Sequence, residues 1–104
     1  MTQPLAGKQI LIVEDEPVFR SLLHGWLTSL GATTFQAEDG KDALHKMTEV
    51  HPDLMICDIS MPRMNGLELV ETLRNSSEQL PILMISATEN MADIAESLRL
   101  GVQC

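Results

Sequence analysis

Three short, continuous apolar runs constrain the fold of this chain more than any other feature. They lie at Ile10–Val13, Leu54–Cys57 and Ile82–Ile85. Apolar residues without alternation indicate strands covered on both faces, as in a parallel sheet between two layers of helices. A fourth and more polar run, Thr33–Ala37, is typical of a strand at the edge of such a sheet.

A helical pattern follows the first strand. Pro17 suits the first turn of a helix, and apolar residues then recur every three or four positions until Gly31 ends the pattern. This spacing predicts a helix with one stripe of side chains packed in the core. The expected core-facing residues are Phe19, Leu22, Leu23, Trp26 and Leu30.

Three more helices are predicted from their capping residues. Asp39 can cap a second helix that ends before Pro52, Asn65 begins a capping box for a third, and Thr88 can cap a fourth. The expected apolar face of the second helix comprises Ala43, Leu44, Met47 and Val50.

Strands and helices therefore alternate as β-α-β-α-β-α-β-α, and right-handed crossovers make this order a doubly wound α/β sheet. A chain of 104 residues is long enough for one small domain and leaves no room for a second. Only three residues follow Gly101, too few for a fifth strand and its helix. We expect residues 1–104 to form a single domain that is incomplete at its C-terminal end.

Composition indicates which classes of partner the chain can bind and in which compartment it is expected. The net charge of −8 repels nucleic-acid backbones and anionic membrane surfaces, so no direct nucleic-acid or membrane partner is expected. No apolar run approaches the roughly 20 residues of a membrane span, and no secretory signal begins the chain, so we expect a cytoplasmic protein. Cys57 and Cys104 have no disulfide or zinc spacing, and Cys57 should behave as a small buried apolar residue.

Acidic and hydroxyl side chains stand where the apolar strands end. Glu14 and Asp15 follow the first strand, Asp58 follows the third and Ser86 follows the fourth. The carboxyl ends of parallel strands meet at one edge of a sheet, which is where open α/β sheets bind ligands. Three carboxylates brought together there need a cation, and Mg²⁺ prefers oxygen ligands of this kind.

The same residues predict phosphoryl chemistry. A carboxylate beside Mg²⁺, here Asp58, can act as a nucleophile toward a phosphoryl group. The hydroxyl of Ser86 could donate a hydrogen bond to the resulting phosphate. The backbone carbonyl of Ser60, two residues after Asp58, can reach back toward the metal.

Residues 10–16, 55–66 and 84–87 together resemble the receiver domain of bacterial two-component response regulators, over nearly the whole chain. The resemblance implies a flavodoxin-like sheet of strand order 2-1-3-4-5. It also implies that Glu14 and Asp15 are the acid pair that binds magnesium, Asp58 the phosphoacceptor and Ser86 the switch hydroxyl. The implied phosphodonor is a sensor histidine kinase or a small phosphodonor.

Residues 7–16, 53–59, 61–67 and 85–95 are similar, more specifically, to one adaptor branch of this family. Adaptors of this branch deliver the stationary-phase sigma factor to the ClpXP protease. The resemblance therefore implies a sigma factor, ClpXP and anti-adaptors as partners.

Two departures bear on function. The family carries a lysine at the end of its fifth strand, and this chain has no such position, which leaves open a phosphorylation-independent binding scaffold or an inactive truncated receiver. Aspartyl-phosphate hydrolases use a similar sheet but place a second Asp two residues after the nucleophile, where Ser60 stands here. We therefore expect a switch that alters protein binding, and no enzyme.

Overall fold

The structure, a computed structural model, describes residues 3–58, 66–75 and 80–85 of the chain. These residues form four strands and three helices in alternation. The elements are β1 (Gln9–Val13), α1 (Pro17–Ser29), β2 (Thr33–Ala37), α2 (Gly40–Lys46), β3 (Leu54–Asp58), α3 (Gly66–Asn75) and β4 (Ile82–Ile85).

The four strands form one parallel sheet in the order β2-β1-β3-β4. The polar strand β2 lies at an edge, as its composition predicts. The order matches the first four strands of the expected 2-1-3-4-5 sheet, and the described residues contain no fifth strand, as expected. β3 is one residue longer than its apolar run, because Asp58 still pairs with Ile85 of β4.

Both faces of the sheet are covered. Leu11 and Val13 point to one face, where they pack with buried Leu69 of α3. Ile10 and Ile12 point to the opposite face, where buried Leu27 of α1 covers them. The period of two along β1 thus supplies two separate cores, which is why the strand is apolar throughout.

Helix α1 begins and ends at residues with recognisable backbone roles. The Glu16 side chain caps the helix by accepting a hydrogen bond from the Val18 N–H at 2.9 Å, and Pro17 takes the first helical position. After the helix, Gly31 adopts a φ of +101°, a conformation that favours glycine. The predicted start and stop of this helix are therefore confirmed.

The expected core-facing stripe of α1 is wrong in part. Trp26 is 59% exposed and Leu22 is 65% exposed, whereas Leu27, which the pattern did not single out, is 3% exposed. Leu23 and Leu27 lie four positions apart on the row that faces the sheet. Leu22 and Trp26 lie on the next row, rotated by about 100°. Apolar residues occupy both rows, so periodicity alone could not tell which row is buried.

Helix α2 is shorter than predicted. Asp39 caps it as expected, since its Oδ1 accepts a hydrogen bond from the Asp42 N–H at 2.8 Å. The helix nevertheless ends at Lys46 and not near Val50, because tighter turns take over: the Glu49 N–H donates to the Lys46 carbonyl at 2.9 Å. The predicted cap of α3 at Asn65 and the predicted fourth helix lie outside the described residues.

Among the described helices, none has both the length and the apolar character needed to cross a membrane.

Candidate functional site

Glu14 lies at the carboxyl end of β1 and is almost completely buried, with 3% of its surface exposed. Its N–H donates to the Ala37 carbonyl of β2 at 3.0 Å, which extends the strand pairing by one residue. Its carboxylate accepts a hydrogen bond from the Glu16 N–H at 3.1 Å. The sheet therefore fixes the Glu14 backbone, and the turn from β1 into α1 holds its carboxyl group.

Asp58 reaches the same edge from the neighbouring strand. It is the last residue of β3 and is half-buried, whereas Asp15 is exposed. One carboxylate oxygen from each of Glu14, Asp15 and Asp58 lies within 4.8 Å of the others. The structure thus brings together the three acids that the sequence placed at strand ends.

This clustering changes the acidity of Glu14. The pKa of its carboxyl is raised from 4.5 to about 7, chiefly by burial and also by the neighbouring Asp58 and Asp15. The hydrogen bond from the Glu16 backbone acts in the opposite direction. A buried acid that faces two others is stabilised either by a proton or by a cation.

The donor set fits Mg²⁺. Three carboxylates offer hard oxygen ligands, and the exposure of Asp15 leaves one side open to water or to a phosphate oxygen. Magnesium is usually held by one or two carboxylates together with waters and substrate phosphate. None of these three residues supplies the nitrogen or sulfur ligands typical of structural zinc sites.

Arg20 belongs to this site and was missed at the level of sequence. Its guanidinium Nη1 donates to the backbone carbonyl of Glu14 at 2.7 Å in a partly buried setting. The available signal was an arginine one turn into the helix that follows an acid pair. From there a long side chain can reach back over the connecting turn.

Two predicted site residues, Ser60 and Ser86, lie outside the described residues. Ser86 directly follows Ile85, whose partner in the sheet is Asp58. The backbone carbonyl of Ser60 and the hydroxyl of Ser86 stay predictions.

Cys57 immediately precedes Asp58 and is fully buried. Its thiol donates to the Asp58 carbonyl at 3.4 Å. Burial raises the pKa of the thiol, and the nearby charges of Asp58 and Glu14 raise it further. The prediction of a small apolar core residue is confirmed, because an un-ionised thiol in this position is not a nucleophile.

Comparison with known proteins gives a consistent result. Residues 10–104 match the response regulator receiver domain family. The chain is 70% identical over 103 residues to the Regulator of RpoS of Escherichia coli K12, covering 99% of this chain and 31% of that protein. This identity confirms the second, more specific resemblance, and the chain spans about a third of the length of that relative.

Solved structures agree with the fold. Chemotaxis protein CheY4 of Vibrio cholerae has a TM-score of 0.86 and 30% identity, covering 94% of this chain and 83% of that one. Response regulator TrrA of Thermotoga maritima, solved with Mg²⁺ and BeF, has a TM-score of 0.82 and 33% identity, covering 92% and 84%. The predicted flavodoxin-like fold class is confirmed. The matched family is regulatory and not an enzyme family, as the sequence predicts.

Proposed function

Because this chain belongs to the response regulator receiver domain family, we propose that it is a magnesium-dependent phosphoacceptor. Asp58 accepts the phosphoryl group, and Glu14, Asp15 and Asp58 hold Mg²⁺, together with the backbone carbonyl of Ser60. The observation that carries this proposal is the meeting of three carboxylates within 4.8 Å at the carboxyl edge of the sheet. The likeness to TrrA, solved with Mg²⁺ and BeF, supports it.

Each residue has a separate task. An Asp58 carboxylate oxygen attacks the phosphorus of the donor, a new P–O bond forms, and the bond from phosphorus to the donor breaks. The donor is the phosphohistidine of a sensor kinase or a small phosphodonor. A Mg²⁺ ion held by Glu14, Asp15 and Asp58 would supply positive charge to the phosphoryl oxygens.

Glu14 and Asp15 keep the metal beside Asp58. The turn geometry that fixes the Glu14 carboxyl means that the ligand is in place before the metal arrives, which lowers the cost of binding. The Ser86 hydroxyl donates a hydrogen bond to the phosphoryl group after transfer. This contact converts a change of charge into a change of conformation.

The output is altered protein binding in an adaptor. The 70% identity to the Regulator of RpoS supports a stationary-phase sigma factor, the ClpXP protease and anti-adaptors as partners, and the cytoplasm as the compartment. The net charge of −8 supports protein partners in preference to nucleic acid.

Phosphorylation of the purified protein by acetyl phosphate with Mg²⁺ tests the proposal. The wild type should gain the mass of one phosphoryl group, and Asp58→Ala should gain none. Asp53→Asn is the matched control, because Asp53 accepts a hydrogen bond from the Gln9 N–H at the opposite end of the same strands. Labelling that persists in Asp58→Ala would refute the assignment.

Binding to a sigma factor distinguishes the switch from a scaffold. The affinity should change when beryllofluoride and Mg²⁺ are added to the wild type, and should stay constant for Asp58→Ala. Equal affinity of the wild type in both conditions would favour the phosphorylation-independent scaffold.

A further inference from the structure

Arg20 makes a short side-chain contact to the backbone of the acid cluster. Its guanidinium donates to the Glu14 carbonyl at 2.7 Å, within the short range typical of charge-assisted hydrogen bonds. The contact is partly buried and reaches back six residues along the chain. It is distinct from the helical hydrogen bond of the same residue, in which the Arg20 N–H donates to the Glu16 carbonyl at 2.9 Å.

Glu14 is consequently held at three points. Its N–H bonds the Ala37 carbonyl at 3.0 Å, its side chain accepts from the Glu16 N–H at 3.1 Å, and its own carbonyl accepts from Arg20. The first contact belongs to the sheet and the second to the turn. Arg20 therefore supplies the only one of these three contacts that comes from a side chain of helix α1.

The carboxyl group has a physical reason to turn away. It is buried, and one of its oxygens lies within 4.8 Å of a carboxylate oxygen of Asp58 and of Asp15, so the like charges repel it. A rotation of the Glu14–Asp15 peptide would relieve this repulsion, and the bond from Arg20 to the carbonyl of that peptide opposes the rotation.

We infer that Arg20 is a positioning residue that fixes the Glu14–Asp15 peptide so that both carboxylates face Asp58 and bind a divalent cation together. This inference rests on the proposed magnesium site. It also predicts the direction in which Mg²⁺ affinity changes when Arg20 is replaced. If Arg20 were only a nearby positive charge, its removal would strengthen cation binding, because less positive charge would repel the metal. If it positions the turn, its removal weakens binding.

The test is a titration with MgCl₂, followed by calorimetry and by the amide NMR signals of Glu14 and Glu16. Arg20→Met keeps the length of the side chain and removes its donors and charge, and should weaken Mg²⁺ binding about tenfold, as loss of a supporting partner of a metal ligand typically does. Arg20→Lys keeps the charge and a donor and should restore most of the affinity. The Glu16 amide signal should shift in Arg20→Met before any metal is added.

Arg74→Met is the matched control, because Arg74 also donates to a backbone carbonyl in a partly buried setting, that of Leu80 at 3.1 Å. Leu80 precedes β4 and so lies at the amino ends of the parallel strands, whereas the acids lie at the carboxyl ends. Replacement of Arg74 should leave Mg²⁺ affinity unchanged.

Three results would count against these proposals in different ways. Equal or tighter Mg²⁺ binding by Arg20→Met would overturn the positioning role and leave the magnesium site intact. Equal weakening in Arg20→Met and Arg74→Met would also overturn it, since that result reports general loosening. Absence of Mg²⁺ binding by the wild type would refute the proposed site itself, and the role of Arg20 with it.

Discussion

Cys57 of β3 lies opposite Val13 of β1 in the parallel sheet, and the residue that follows each of them, Asp58 and Glu14, is an acid. The register is set by buried side chains on both faces, because a slip of one residue would exchange the two faces of a strand. The position of the acids is therefore a consequence of core packing. Core substitutions that keep the register should therefore leave these acids at neighbouring strand ends.

Glu14 should make the stability of the metal-free protein depend on pH. The pKa of its carboxyl is about 7 in the folded state against 4.5 ordinarily, so the folded state binds the proton more tightly. Its stabilising contribution is complete below pH 4.5 and is lost as the pH rises through 7. The total loss is roughly 3 kcal/mol of unfolding free energy.

Urea unfolding at pH 5 and pH 8 measures this loss. Glu14→Gln should remove most of the difference between the two conditions, because its amide does not titrate. Glu71→Gln alters an exposed acid of α3 and should keep the wild-type profile. Identical profiles for the wild type and Glu14→Gln would contradict the prediction.

Magnesium affinity should rise with pH for the same reason. Below pH 7 the metal has to displace the proton of Glu14, so affinity should increase up to about tenfold per pH unit and level off above pH 7.5. Calorimetric titration at pH 6, 7 and 8 measures the slope. An affinity independent of pH in this range would show that Glu14 does not ligate the ion.

Cys57 should resist thiol reagents in the native state. Its thiol is buried and its pKa is raised, so alkylation requires opening of the sheet. In a Cys104→Ser background, where Cys57 is the only cysteine, iodoacetamide should react at least roughly 100-fold more slowly than in 6 M urea. Comparable rates in the two conditions would contradict the burial of this strand.

Gly31 and Gly7 should differ in their tolerance of alanine. Both have positive φ, +101° and +79°, so both substitutions strain the backbone by about 1–2 kcal/mol. A Cβ at Gly31 would also lie 3.0 Å from the Ala6 nitrogen and 3.0 Å from the Gln3 Cβ, whereas a Cβ at Gly7 meets nothing within 4 Å.

Gly31→Ala should therefore cost roughly 3 kcal/mol in total, since crowding adds to the strain. Gly7→Ala should cost only the strain term. Thermal and urea unfolding of the two variants provide the comparison. A larger loss in Gly7→Ala would mean that the N-terminal segment does not pack against Gly31.

Much of this architecture could be predicted from sequence because its signals are local. Unbroken apolar runs identify strands covered on both faces, and the convergence of Glu14 and Asp58 follows once those strands are parallel and adjacent. The burial of Glu14 and its contact with Arg20 could not be predicted in this way. Both depend on how closely α1 approaches the end of β1, which no spacing along the chain encodes.

Neighbouring residues on the two apolar rows of α1 should differ sharply in how much stability their truncation removes. Leu27 is buried against Ile10 and Ile12, whereas Trp26 is 59% exposed. Leu27→Ala should lower the unfolding free energy by about 2–5 kcal/mol, since it leaves a cavity. Trp26→Ala should lower it by less than about 1 kcal/mol, although tryptophan is the larger side chain.

Urea unfolding followed by far-ultraviolet circular dichroism measures both variants without relying on tryptophan fluorescence. Both positions lie in the last turn of α1, so the difference in helix propensity between the two substitutions is small. A loss in Trp26→Ala as large as that in Leu27→Ala would show that the row of Leu22 and Trp26 packs in the core. The sheet-facing row assigned to α1 would then be wrong.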